Sequence, residues 1–328
     1  MLLLCGLVNK KLSKTCYLHL GFHKTATSSF QETCASNSAL LKDSFGLTYP
    51  TFICSANGKK VNNHSIPIFS MYCDHPSRYH VNVRWGVGNK IDEVNASYMK
   101  QFVQSLERSE SLVISGEGIA LLPPENLNRL LADIRQYGYD INALAVVRSP
   151  YSSLCSEIQQ TIKMGKYIRL ISLNGSGQIP RDFKIARVTD RIKKAKSIFH
   201  QHIKFFGFDR ACSHEFGPVG YLVQNFLEKD PGLFEYTKAN ESLFNLTVRM
   251  QNELNKVNSA IVNGKHNPLF QKLDSSVNRN FAFSGKFLLT EKEYGLVKDQ
   301  VELESEGIND LLGHDFQDRS IQFADSIF

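Results

Sequence analysis

The chain has 328 residues, 42% hydrophobic and 21% charged, with no low-complexity tract or internal repeat, which suits one sizeable folded α/β unit. A formal net charge of +6 fits an anionic small molecule or acidic glycan, and without a concentrated basic stripe it argues against a nucleic-acid partner. Seven cysteines, at 5, 16, 34, 54, 73, 155 and 212, form neither a CxxC nor a zinc-spaced Cys/His cluster, so reduced thiols in a cytosol are expected rather than a metal site.

The apolar start Met1 to Val8 is too short to span a membrane, and Lys10, Lys11 and Lys14 follow it rather than precede it. The sequence therefore predicts no membrane span and a cytoplasmic location. Tyr17 to Leu20 reads as a short strand ending at Gly21, and a helix is expected from about Ser28 to Leu41, with Phe30, Cys34 and Leu41 on one side. Residues from about 48 to 94 carry no clean period and are expected to be irregular, as are about 165–182. Both stretches are expected to shape an acceptor pocket.

Order returns with a helix over Val94–Arg108 and a strand over Leu112–Ser115 that delivers Glu117. A helix from Pro124 to about Tyr137 is followed by Gly138, and Ile141–Val147 reads as a buried central strand ending at Arg148. Ser149 is placed to cap a helix that has Pro150 at its first position and runs to about Met164. The basic run Arg187 to Lys196 reads as the solvated face of a helix at about Asp182–His200. A strand at Ile203–Phe206 follows, then helices at about Gly217–Glu228, Leu243–Val262 and Glu291–Leu312, the last with a capping box from Thr290 and Glu293.

Strands alternating with helices and no Pro/Gly/Ser-rich linker predict a single domain over 1–328. Its expected fold class is α/β, three-layer, with a central, mostly parallel sheet flanked by helices. In such sheets ligands bind beyond the carboxyl ends of the strands, so His23, Lys24, Glu117 and Arg148 should meet on one rim.

The loop after the first strand carries the chemistry. A helix amino terminus presents unpaired N–H groups to an anion, Lys24 adds a positive charge, and Thr25, Thr27, Ser28 and Ser29 add hydroxyls. Ala26 lets the backbone approach a ligand. The NTPase pattern G-x-x-x-x-G-K-[ST] is absent, since a single Gly21 stands three residues before Lys24. Arg148 offers a bidentate fork to phosphate oxygens, and Ser149, Ser152, Ser153 and Ser156 share one face of the following helix.

The segment Leu18-His-Leu-Gly-Phe-His-Lys-Thr-Ala-Thr-Ser-Ser-Phe-Gln31 resembles the 5′-phosphosulfate-binding loop of PAPS-dependent sulfotransferases (PAPS, 3′-phosphoadenosine 5′-phosphosulfate), particularly the bacterial branch. The departure is Ala26 where Gly is usual, tolerable if φ stays negative. Arg148 with Ser156, eight residues on, resembles the 3′-phosphate site of the same family. The resemblance implies the P-loop-like sulfotransferase fold, PAPS as co-substrate, PAP (3′,5′-adenosine bisphosphate) as product and no required metal. It implies donor binding by His23, Lys24, Thr25, Ala26, Thr27, Ser28, Ser29, Arg148 and Ser156.

Lys24 is assigned to the leaving-group oxygen. Glu117 is the candidate general base, by similarity to branches that place a catalytic Glu after a strand between the two nucleotide motifs. Its alternative role is a structural carboxylate paired with Arg148 or another basic residue at the rim. His64 is the histidine placed first as an alternative base. The acceptor is expected to be a small molecule or a glycan, and nothing in the sequence speaks to oligomeric state. Two other readings of the cradle are a nucleotide-dependent kinase or hydrolase and a non-catalytic binder of anionic glycans or nucleotides.

Overall fold

The computed structural model describes residues 14–170, 185, 187–237, 242–262, 265–313, 316 and 321–324. Met1 to Val8, Cys5, and most of the expected irregular stretch 165–182 lie outside the described residues. Five strands build the central sheet: β1 (Lys14–Leu20), β2 (Leu47–Thr48), β5 (Ser111–Gly116), β6 (Tyr139–Val147) and β7 (Ile203–Gly207). Between β2 and β5, the short β3 (Phe52–Ile53) and β4 (Lys60–Val61) pair as a separate antiparallel hairpin, and β8 (Ile261–Val262) and β9 (Lys265–His266) form another.

The sheet order is β2-β5-β1-β6-β7, and every pairing in it is parallel. The expected three-layer α/β architecture is therefore present. Strand side chains alternate between two apolar clusters, as a pleat of period two requires. Cys16, Leu18, Leu112, Ile114, Ala143 and Ala145 face one layer with the helices Ile91–Arg108, Pro124–Gln136 and Val188–Phe199. Val113, Leu144 and Val146 face the other, against Phe30 and Cys34 of the helix Thr27–Ser36 and Leu222 and Val223 of the helix Gly217–Asn225. A third cluster joins Leu154, Ile158 and Ile162 of the helix Pro150–Lys163 to Val248 and Val301 of two late helices, Asn245–Val257 and Lys298–Leu312.

Several expectations need correction. The first helix breaks at Asn37, whose side-chain amide donates to Thr33 O and Glu235 O, each at 2.8 Å, and a second helix runs Ser38–Phe45. The stretch 48–94 is not irregular: besides the β3–β4 hairpin it holds the helices Ser65–Tyr72 and His80–Arg84. The late helix stops at Val257, and Ile261–Val262 belongs to a hairpin. The last predicted helix is two, Glu291–Gly295 and Lys298–Leu312, and the Thr290–Glu293 capping box opens the first of them. Ser149 occupies the position before the helix Pro150–Lys163 without its side chain capping it. Among the described residues, no helix is long and apolar enough to cross a membrane, and Cys16, Cys34, Cys54, Cys73, Cys155 and Cys212 are free thiols.

Candidate functional site

The ends of β1, β5 and β6 meet because β1 lies between the other two, in register through Leu20↔Gly116 and Leu20↔Ala145. At that rim a cavity of about 370 Å³ is lined by the whole loop His23–Ser29, by Glu117, Arg148 and Ser156, and by Phe208. Every sequence-predicted site residue except His64 therefore reaches one cavity.

Close approach at the rim depends on Gly21. A Cβ there would stand 2.6 Å from Thr27 Cγ2 and 2.9 Å from Glu117 Cγ, well inside contact distance. The loop turns through two left-handed residues, Lys24 at φ 63° and Ala26 at φ 60°. The expectation of a negative φ at Ala26 is thus overturned: the helix Thr27–Ser36 begins directly after a residue in the conformation glycine adopts most cheaply.

Inside the loop, the buried Thr25 hydroxyl donates to Phe22 O at 2.6 Å and fixes the turn. No side chain caps the helix Thr27–Ser36. The N–H groups of its first turn, which have no partner within a helix, thus border the cavity with the half-buried Ser28 and Ser29. That geometry fits an anionic oxygen cluster.

Arg148 follows β6. Its Nε donates to Ser152 Oγ at 2.8 Å, its Nη1 donates to Lys24 O at 3.0 Å, and its guanidinium lies 4.8 Å from the Phe208 ring centroid. The arginine is thus oriented by the loop it serves and by the helix behind it. Of the four serines placed on that helix face, Ser149 and Ser153 are buried and Ser152 holds Arg148, which leaves Ser156 to face the cavity.

Glu117 Oε2 lies 3.5 Å from His23 Nδ1, an ion pair when that imidazole is protonated, so the loop histidine is a basic rim residue within reach of the carboxylate. Burial pushes the Lys24 ammonium below the ordinary lysine value. Glu117 and Glu157 act against that shift, while Arg148 and Lys163 reinforce it. A ligand with two or more negative charges would relieve this crowding of cations.

His64 is set apart from the cavity. It is fully buried, its Nε2–H donates to Pro50 O at 2.6 Å, and its Nδ1 accepts from Ser115 N–H at 3.0 Å. Burial brings its pKa down to about 4, the Pro50 carbonyl opposing. A neutral imidazole with both nitrogens engaged by backbone has no lone pair for an acceptor proton. Next to it, Ser65 Oγ accepts from Gly118 N–H at 2.9 Å, so His64 and Ser65 together hold the strand end on either side of Glu117.

Sequence reasoning missed Gln159, Gln160 and Lys163, which also line the cavity. The signal was present: continuing the face of Ser152 and Ser156 by further helical turns reaches all three. Phe208 directly follows β7 and belongs to the same rim by the strand-end rule, whereas Ser242 approaches from a distant segment that no local pattern marks. The basic run is also not simply solvated. Arg187, Lys193 and Lys196 are exposed, but Lys194 Nζ donates to Ala120 O and Leu122 O just past Glu117. Arg191 is half-buried and feels the charges of Glu157 and Glu117.

Comparison of the chain with protein-family models, curated proteins and solved structures finds no match among any of them.

Proposed function

We propose that the protein transfers a sulfuryl group from PAPS to an acceptor hydroxyl or amine. The observation that carries this reading is the single cavity in which the Lys24 loop, the Arg148–Ser156 pair and Glu117 come together at the strand ends. The uncapped helix start with Lys24 suits the 5′-phosphosulfate, and Arg148 with Ser156 suits the 3′-phosphate.

In the proposed step the acceptor oxygen attacks sulfur in line and forms the new S–O bond. Its proton passes to the Glu117 carboxylate. The S–O bond to the 5′-phosphate breaks, and the bonding pair leaves with that phosphate oxygen, where Lys24 offsets the charge. The acceptor class within this reading includes glycans, because Glu117 shares its cavity with hydroxyl, amide and cationic side chains that suit a polyhydroxy compound.

Thermal melting with PAP against melting with ATP and Mg²⁺ tests the donor half. PAP at a hundredfold its dissociation constant should stabilise the fold by about 2.7 kcal/mol. A shift with ATP and Mg²⁺ but none with PAP would favour a kinase or hydrolase and end the sulfotransferase reading.

A further inference from the structure

The helix Asn245–Val257 buries amides where a core helix ordinarily buries aliphatic side chains: Gln251, Asn252 and Asn255 are all inaccessible. Asn255 Nδ2 donates to Ile162 O at 2.8 Å and Lys166 O at 3.0 Å. Asn252 bonds Ile168 in both directions, at 2.9 and 2.7 Å, and Gln251 Oε1 accepts from Leu273 N–H at 2.7 Å. Ala260 N–H donates to Gly165 O at 2.9 Å, and Asn267 N–H to Ala260 O at 2.8 Å. Three stretches, 162–170, 251–261 and 265–273, are thereby stitched together by hydrogen bonds that the cavity does not use.

The exposed side chains of this hydrogen-bonded assembly are both apolar and basic. Val257 is 83% exposed, Leu269 72%, Met164 57% and Ile261 50%. Lys166, Arg169, Lys256, Lys265 and Lys272 are exposed among them, and the single carboxylate in the described residues of these stretches is the half-buried Glu253. Asp274, just beyond, has its carboxylate occupied by the N–H groups of Ser276 and Val277.

We propose that this face docks the protein on an anionic lipid bilayer, with Val257, Ile261, Leu269 and Met164 entering the interface and the cations meeting headgroup phosphates. Clustered exposed aliphatic side chains mark an interaction surface, and cations beside them select an anionic one. A soluble polyanion would satisfy the lysines and leave four aliphatic side chains in water. A second copy of the chain would set lysines against lysines. Lys163 lines the cavity and Met164 follows it, so the docked face lies beside the site. The inference does not rest on sulfuryl transfer, since the same face would serve a cavity of any chemistry.

Co-sedimentation of the full chain with vesicles tests it. Vesicles of two parts phosphatidylcholine to one part phosphatidylglycerol should bind the protein, and vesicles of phosphatidylcholine alone should not. Lys265→Gln should lower the affinity about fivefold. The double variant Val257→Asp, Leu269→Asp should lower it at least about tenfold, with an unchanged melt because both side chains are exposed. Absence of binding to the anionic vesicles would overturn the proposal. So would undiminished binding by the aspartate variant, binding to dextran sulfate with none to vesicles, or a dimer in solution that the aspartate pair dissociates.

Discussion

Ala26 holds φ 60° and ψ 19°, where its Cβ crowds the following carbonyl oxygen at a cost of about 1–2 kcal/mol. Glycine removes that cost and returns part of it as unfolded-chain entropy, so Ala26→Gly should stabilise the protein by about 1 kcal/mol. Urea unfolding checks this; an unchanged or lower midpoint would mean that neighbouring contacts of the methyl group outweigh the strain. Lys24 allows a second test at the same loop. Its ammonium is depressed by burial in the free protein, and a bound polyanion favours the charged form. On the proposed donor reading, affinity for PAP should be complete where the free protein keeps Lys24 protonated and should decay as pH rises through the lowered value. Calorimetric titration should find the alkaline loss of affinity beginning below the ordinary lysine range in the native protein and absent in Lys24→Arg, whose guanidinium stays charged. Identical alkaline limbs in the two proteins would remove Lys24 from the anion site.

Among the elements, the late helices are joined by one buried ion pair. Arg249 Nη1 and Nη2 donate to Glu293 Oε1 and Oε2, each at 2.9 Å, with both residues almost wholly buried. The same Glu293 Oε2 accepts from Thr290 N–H at 2.8 Å to complete the capping box. Removing one partner strands the other's charge, so Glu293→Ala should cost about 3–5 kcal/mol, read as a lower denaturant midpoint. A loss below about 1 kcal/mol would show that water reaches Arg249 in the variant. The capping box was legible in the sequence because it is a local spacing, as were the strands of β1, β5, β6 and β7 and the loop between β1 and its helix. The hairpin strands of two residues were not, because two residues carry no period. Nor was the buried amide face of the helix Asn245–Val257: Asn and Gln read as solvent-facing until the loops they bond are in place. The cavity followed the same division. His23 to Ser29, Glu117 and Arg148 announce themselves at strand ends, while Ser242 arrives through long-range packing alone.

Across the whole molecule, two neutral histidines converge on one residue of the sheet. His19 in β1 places Nδ1 2.9 Å from Ser115 Oγ in β5, and its Nε2 is buried without a hydrogen-bond partner. The His64 ring Nδ1 accepts from Ser115 N–H, the His64 backbone N–H donates to Ser115 O at 3.2 Å, and Gln31 from the loop's helix donates to the same carbonyl at 2.9 Å. Ser115 thus ties the helix Thr27–Ser36 to the strand that ends just before Glu117. Burial lowers His19 to about 3 and His64 to about 4, whereas in the unfolded chain both titrate at about 6.5. Below that value the unfolded state takes up protons that the folded state refuses. Stability is therefore whole above about pH 6.5 and is lost as pH falls towards about 4 for His64 and about 3 for His19, at about 1.4 kcal/mol per pH unit for each. His19→Phe keeps an aromatic ring against Phe30, now 5.2 Å from the imidazole centroid, and deletes one of the two titrations. Unfolding free energies measured from about pH 6 down to about pH 4.5 should fall with a slope shallower in this variant by about 1.4 kcal/mol per pH unit. Parallel lines for the two proteins would mean that His19 is protonated in the fold or solvated by water at Nε2, and the acid sensitivity of the Ser115 junction would then belong to His64 alone.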